Sequence, residues 1–183
     1  ASSRYLLSLI NDILDMSKIE TGKMDLTSEY FDFTELIGEI DQIIYPQARE
    51  KGLDFTVPLA GLTDTELIGD SLRLNQVLLN LLSNALKFTP KGGSIRMEIR
   101  QLQKKDGRIR LRFTGIGMGS AFMERLFVPF EQENMSMGQN PGGTGLGMPI
   151  TKNLVTLMGG TITLQSELGK GTEVTLHFPV LPA

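Results

Sequence analysis

The sequence predicts an α+β fold, a two-layer α/β sandwich in which one mixed sheet faces one layer of helices and the functional site lies between them. Three observations predict it. Helical periodicity and strand alternation fall in separate groups along the chain, not in a regular strand–helix alternation. Two strand pairs are joined by turn signals, Lys104-Lys105-Asp106-Gly107 and Glu167-Leu168-Gly169-Lys170-Gly171. The chain also has 20 glycines in 183 residues, above the roughly 7% usual in proteins, and many are grouped at 115–119 and 142–147, where tight turns or close backbone approach to a ligand are expected.

Composition narrows the possibilities. Hydrophobic residues make up 40% and charged residues 21%, a globular balance for one domain or one domain with a short attached element. A net charge of −3 and a pI near 5.3 lend no support to a nucleic-acid-binding surface. There is no cysteine and one histidine, His177. That excludes disulfides, zinc–thiolate sites, thiol catalysis and any mechanism needing two histidines. No apolar run reaches the ~18 residues of a membrane span. The chain opens at Ala1 with no signal-peptide pattern and reads as an excised piece of a longer protein.

Each element then has its own signal. Over residues 2–22, Leu6, Leu9, Ile10, Ile13, Leu14 and Met16 recur at three- and four-residue steps, which predicts a helix with a broad apolar stripe. Such a helix is marginal alone. It is expected to extend from the sandwich and pair with a helix of another subunit or one absent from this chain; docking on its own domain is the alternative. Thr27–Phe33 alternates as a strand. Asp32 followed by Glu35 fits a helix start, and that helix should run to Lys51, with Pro46 kinking or breaking it and Gly52 ending it. Short strands are expected at Leu53–Val57 and Glu66–Ile68. Asp70 opens the strongest helix, Ser71 to Phe88, with Leu74, Val77, Leu78, Leu81, Leu82 and Ala85 on its buried side. Strands at Ser94–Gln103 and Arg108–Thr114, a short helix at 120–127, a mobile loop at 131–143, a helix over Leu146–Met158 and a hairpin of Thr161–Gln165 with Thr172–Phe178 complete the chain.

The helix at 71–88 carries polar residues in a particular arrangement. Asn80, Asn84 and Lys87 stand at i, i+4 and i+7 and so share one face. An amide oxygen is a hard donor suited to Mg²⁺, and lysine binds phosphate as a point charge. By themselves the three are equally compatible with a solvated helix face. The glycine clusters tilt the balance, because Gly115-Ile116-Gly117 directly follows a strand and Gly143-Thr144-Gly145-Leu146-Gly147 opens a helix, where backbone amides make an anion site.

Taken in order, these segments resemble the boxes of sensor histidine kinases. Arg73 to Thr89, containing Asn80, Asn84, Lys87 and Phe88, is similar to the N box. Thr114-Gly115-Ile116-Gly117-Met118 is similar to the G1 box, Phe127-Val128-Pro129-Phe130 to the F box, and Gly143 to Gly147 to the G2 box. Leu9 to Asp15 with Ser17-Lys18-Ile19-Glu20 resembles the second helix of the family's dimerisation domain. The resemblance spans essentially the whole chain, with residues 1–24 as part of the dimerisation domain and 25–183 as the catalytic domain.

It implies the Bergerat ATP-binding fold, shared with the gyrase, Hsp90 and MutL ATPases, and ATP and Mg²⁺ as cofactors. It also implies site residues. Asn84 would ligate Mg²⁺ with support from Asn80. Lys87 would contact phosphate, with Phe88 packed beside the nucleotide. Gly115 and Gly117 would let backbone pass close to adenine. Phe130, Gly143, Thr144, Gly145, Leu146 and Gly147 would border the nucleotide, residues 131–143 would form the lid, and Thr172 would lie near adenine. Asn80 occupies the position of the related ATPases' catalytic glutamate; without a carboxylate there, transfer to a protein histidine is favoured over hydrolysis. The implied partners are a second copy, through the dimerisation helices, and a response-regulator receiver domain. The implied setting is the cytoplasmic part of an inner-membrane-anchored bacterial sensor, with any membrane contact made by parts outside this chain.

Three departures qualify the resemblance. No phosphoacceptor histidine is present, since His177 lies in an apolar strand and reads as structural. The aspartate that opens the family's G1 box is missing; either Phe113 replaces it or residues are omitted before Thr114. Pro149 follows the G2 box but falls in a first helical turn, where it is tolerated. A degenerate, non-catalytic dimerisation or signalling module therefore stays as the alternative function, and a hydrolysing ATPase is disfavoured by Asn80.

Overall fold

The structure is a computed structural model and describes residues 2–105, 108–114, 147–167 and 171–183. In chain order the elements are α1 (Ser2–Glu20), β1 (Glu29–Asp32), α2 (Phe33–Lys51), β2 (Asp54–Thr56), β3 (Leu59–Ala60), β4 (Glu66–Gly69), α3 (Ser71–Phe88), β5 (Ser94–Arg96), β6 (Glu98–Lys105), β7 (Arg108–Thr114), α4 (Gly147–Leu157), β8 (Thr161–Glu167) and β9 (Gly171–Pro182). The predicted helix at 120–127 and loop at 131–143 lie outside the described residues.

The main sheet has the order β1-β4-β9-β7-β6-β3, and β8 also pairs with β9. Twelve-residue β9 is its spine. It lies antiparallel to β7 from Thr175 to Val180, to β8 from Gly171 to His177, and to β4 at Leu181 and Pro182. β2 and β5 form a separate parallel pair. The β7 ladder passes through Phe113 and Thr114, opposite Leu176 and Thr175, without a shift.

Strand boundaries differ from expectation at two places. Ser94–Gln103 is two strands rather than one, because the chain changes partner at fully buried Met97. β5 pairs with β2, whereas β6 pairs with β7 and β3. β3, two residues long, gave no periodic signal to read. At Gly160, a side-chain carbon would collide with the His177 carbonyl and press on the Phe178 ring, so only glycine lets β8 begin this close to β9.

Helix α3 forms the centre of the helical layer, between α2 and α4. Leu74, Val77, Leu78, Leu81, Leu82, Ala85 and Leu86 are all buried. Each leucine so buried contributes on the order of 1.5–3 kcal/mol. Asp70 starts the helix by accepting from Arg73 N at 3.0 Å, which satisfies one of the amides a helix start leaves open. Its other oxygen accepts from Thr27 N at 3.1 Å, tying the segment after α1 to the beginning of α3.

Helix α2 is capped at the residue expected. Asp32 Oδ1 accepts from Thr34 N at 2.9 Å and Glu35 N at 3.2 Å, and Gly52 closes the helix with φ 73°. Pro46 does not break it: α2 is one helix from Phe33 to Lys51. Pro46 is exposed, so carbonyls it leaves unbonded face water, and the Gln47 side-chain amide donates to Ile43 O at 2.9 Å. Pro149, likewise, sits in the first turn of α4 without interrupting it.

Helix α1 departs from the expectation that it would stand away from the sandwich. Leu9, Met16 and Ile19 pack against the core, and Asn153 Nδ2 of α4 approaches Met16 Sδ at 3.8 Å. The stripe is too broad for that one contact to cover. Leu6, Leu7, Ile10, Ile13 and Leu14 remain 45–60% exposed. The helix thus docks by one edge and leaves those five side chains largely uncovered.

Candidate functional site

The face of α3 that carries Asn80, Asn84 and Lys87 is half-buried. Asn80 points at the start of α4. Its Nδ2 donates to Gly147 O at 3.5 Å and to Thr151 Oγ1 at 3.3 Å. A backbone carbonyl only accepts, so the amide nitrogen must be the atom facing Gly147. Asn80 Oδ1 is thereby turned the other way, an oxygen held in a set direction. A carbon placed on Gly147 would lie 3.8–4.0 Å from this amide, so the N box and the last glycine of the G2 segment meet in van der Waals contact.

Asn84 lies one turn further on, half-buried, with no side-chain hydrogen bond among the described residues. Lys87 is half-buried too, and no carboxylate pairs with it among the described residues. Burial pushes its ammonium below the usual lysine pKa, because desolvation disfavours the charged form. An approaching phosphate would offset that penalty. Phe88 is half-buried and packs against the core, which fixes the end of the helix.

Arg73, Gln76 and Asp15 form a polar cluster at the other end of the same helix. Arg73 Nη1 lies 3.4 Å from Asp15 Oδ2 and 2.8 Å from Gln76 Oε1, and Gln76 Nε2 donates to Asp15 Oδ2 at 3.1 Å. This cluster joins α1 to α3 one to two turns before Asn80.

Of the other expected site residues, Gly115, Gly117, Phe130, Gly143, Thr144, Gly145 and Leu146 lie outside the described residues. Thr172 lies in β9, opposite Ser166, and its side chain is outside the description. His177 sits mid-strand opposite Arg112 and Thr161. Burial first, then the charges of Arg112 and Arg110, hold its pKa below the ordinary histidine value, in keeping with a structural strand residue.

Sequence reading missed Thr151 and Lys51. Thr151 is fully buried within apolar α4; a lone hydroxyl at a core position, four residues after Gly147, was the available signal. Lys51 bonds the end of α3 from across the helical layer, a contact with no trace in local sequence.

Among the described residues, no group of three or more His, Cys, Asp or Glu could cage a metal. The donors on this face are amide oxygens. They fit a hard cation that keeps most of its waters and takes its other ligands from phosphate, the usual manner of Mg²⁺.

The family model described as "Histidine kinase-, DNA gyrase B-, and HSP90-like ATPase" matches residues 69–182. The autoinducer 2 sensor kinase/phosphatase LuxQ of Vibrio vulnificus (strain YJ016) is 39% identical over 183 residues, covering 98% of this chain and 21% of that protein. The signal transduction histidine-protein kinase BarA of Escherichia coli (strain K12) is 38% identical, covering 96% and 20%. The chain thus spans about a fifth of the length of the curated relatives it matches. The crystal structure of full-length ShkA in complex with AMPPNP superposes with a TM-score of 0.78 at 30% identity, covering all of this chain and 37% of that one. Among the described residues, no helix is long and apolar enough to cross a membrane. With the family model covering α3 through β9 and the N-box amide seated on the G2 helix, the chain belongs to the histidine kinase-, DNA gyrase B- and HSP90-like ATPase family.

Proposed function

We propose that this chain is the ATP-binding kinase domain of a two-component sensor histidine kinase. It transfers the γ-phosphoryl group of ATP to a histidine outside the chain, from which the group passes to a response-regulator receiver domain. The observation that carries the reading is Lys87, a half-buried ammonium one turn from the amide of Asn84; among the described residues neither Lys87 has a carboxylate partner nor Asn84 a side-chain hydrogen bond. Asn80 adds a second, fixed amide oxygen.

In this reading Lys87 binds phosphate, Phe88 packs beside the nucleotide, and Gly115, Gly117, Gly143, Thr144, Gly145, Leu146, Gly147, Phe130 and Thr172 complete the pocket. Asn84 and Asn80 hold Mg²⁺, which when bound neutralises phosphate charge. Position 80 has no carboxylate and cannot take a proton from water, so attack by a histidine nitrogen is favoured over hydrolysis. Exposed Leu6, Leu7, Ile10, Ile13 and Leu14 complete a homodimer through residues 1–24, and membrane anchoring belongs to other parts of the protein.

Calorimetric titration with Mg-AMPPNP should show binding to this chain. With labelled Mg-ATP, the full-length protein should gain acid-labile, alkali-stable phosphate, and the isolated chain none. Release of free phosphate without phosphohistidine would replace kinase by hydrolase. In the reading where Phe113 replaces the G1-box aspartate, rather than residues being omitted before Thr114, no side chain at that position accepts from adenine. An unpaired buried donor costs about 1–3 kcal/mol, so Phe113→Asp should tighten AMPPNP binding roughly 5- to 150-fold.

A further inference from the structure

Helices α2 and α3 end side by side but close differently. At the end of α2, Gly52 in the left-handed region donates to Arg49 O at 3.0 Å, and Leu53 donates to Ala48 O at 2.8 Å. That turn satisfies its own carbonyls. Helix α3 ends at Phe88; Thr89 caps it in an extended conformation, and Pro90 follows. Thr89 N reaches only Ala85 O, at 3.0 Å, and Pro90 has no N–H to give. The next two carbonyls, of Leu86 and Lys87, accept instead from Lys51 Nζ, at 2.6 and 3.0 Å.

One ammonium therefore closes the end of a neighbouring helix. Its position suits the charge, since the C-terminal end of a helix is its negative pole. The contact is part-buried, where a charged hydrogen bond is stronger than in water. The turn it holds is the one that carries Lys87 and Phe88. Without Lys51, the last turn of α3 would have two unclosed carbonyls and an extended exit, and the direction of the Lys87 side chain would depend on a fraying helix end.

We propose that Lys51 is a positioning residue for nucleotide binding: it fixes the last turn of α3 and thereby aims Lys87 and Phe88, without itself touching the nucleotide. The inference rests on the reading of Lys87 as a phosphate contact. The two are separated by a double-mutant cycle on this chain, with Mg-AMPPNP affinity measured by calorimetry and folding checked by thermal melting. Lys87→Ala should weaken binding, and Lys51→Met should weaken it about tenfold, the loss expected for a charged hydrogen bond. Lys51→Arg, which can still donate to both carbonyls, should stay within about twofold of the unsubstituted chain. The double variant Lys51→Met/Lys87→Ala should bind little worse than Lys87→Ala alone, because the two act through one side chain. If Lys51→Met lowers folding too far to measure, Lys51→Gln, a neutral donor, takes its place in the cycle. Undiminished binding in Lys51→Met beside weakened binding in Lys87→Ala would overturn the positioning role and leave the site intact. So would additive losses, which would make Lys51 an independent contact. Undiminished binding in Lys87→Ala would instead overturn the site itself.

Discussion

Helices α1 and α3 are nearly the same length, 19 and 18 residues, and both are amphipathic. Their surroundings differ. The seven apolar residues on the inner side of α3 are buried between sheet, α2 and α4. On α1, Leu9, Met16 and Ile19 touch the core while Leu14 is 53% and Leu7 60% exposed. The same kind of stripe thus does two jobs. Where it is covered, it sets the fold. Where it is left open, it is available to another surface, at little cost to this one. Substitutions on the two helices should separate these roles.

The widest separation is expected from equal truncations. Leu81→Ala in α3 should destabilise the domain by about 2–5 kcal/mol, seen as a lower denaturant midpoint. Leu14→Ala in α1 should stay within about 0.5 kcal/mol yet shift sedimentation of the full-length protein toward monomer. Equal losses in the two variants would erase the distinction between the helices.

Next in size is the joint between them. Asp70→Ala removes both the α3 cap and the bond to Thr27, and should cost about 1–2 kcal/mol. Urea unfolding reads this directly, and an unchanged midpoint would mean the cap is idle. Arg73→Ala should cost less, roughly 0.5–1 kcal/mol. Its sharper effect should be faster protease cleavage within residues 1–24 as α1 loses its link to Asp15. If cleavage there is unaltered, the apolar edge alone holds α1 in place.

The smallest effect concerns the polar face of α3. Burial lowers the Lys87 pKa in the folded state, so keeping it charged costs stability at all pH values below the folded pKa. That cost is relieved as pH rises through the folded pKa toward the unfolded value near 10.5. Lys87→Met should therefore raise the melting temperature by about 1–2 °C at neutral pH, with the gain shrinking as pH approaches 10.5. A gain that grows with pH would contradict the assigned sign. The same variant should bind Mg-AMPPNP less well, so α3 exchanges a little stability for its ligand face.

Much of this was legible in the sequence where the signal is local. Asp70, the leucine spacing and Phe88 mark both ends of α3, and Asp32 with Gly52 mark those of α2. Pairing is less legible. The break at Met97 comes from a change of partner strand, and β3 is too short to have a period. That Pro46 leaves α2 unbroken depends on which side of the helix meets water, which a local pattern does not show. In the site, Asn80, Asn84 and Lys87 share a face by helical geometry alone and could be grouped without a structure. That the Asn80 amide meets Gly147 and Thr151, 67 and 71 residues further on, and that Lys51 closes the end of α3, are tertiary facts with no local period or motif. The docking of α1 fell between the two alternatives, since a stripe reports how much surface needs cover but not how much of it one neighbour supplies.

The placement of β9 has a consequence for the order in which the protein is made. This strand is central to the sheet, yet it is the last described element to leave the ribosome. Leu67 of β4 meets Pro182 only after more than a hundred further residues have been added, on the order of 5–20 s at ordinary elongation rates. Leu111 of β7, which faces Phe178 across the ladder, waits about half as long. Both leucines are fully buried in the finished domain, so in the nascent chain they are bare apolar surface beside unpaired strand edges. Helices α1, α2 and α3 are complete before β9 is made; the sheet cannot close until synthesis has passed residue 182.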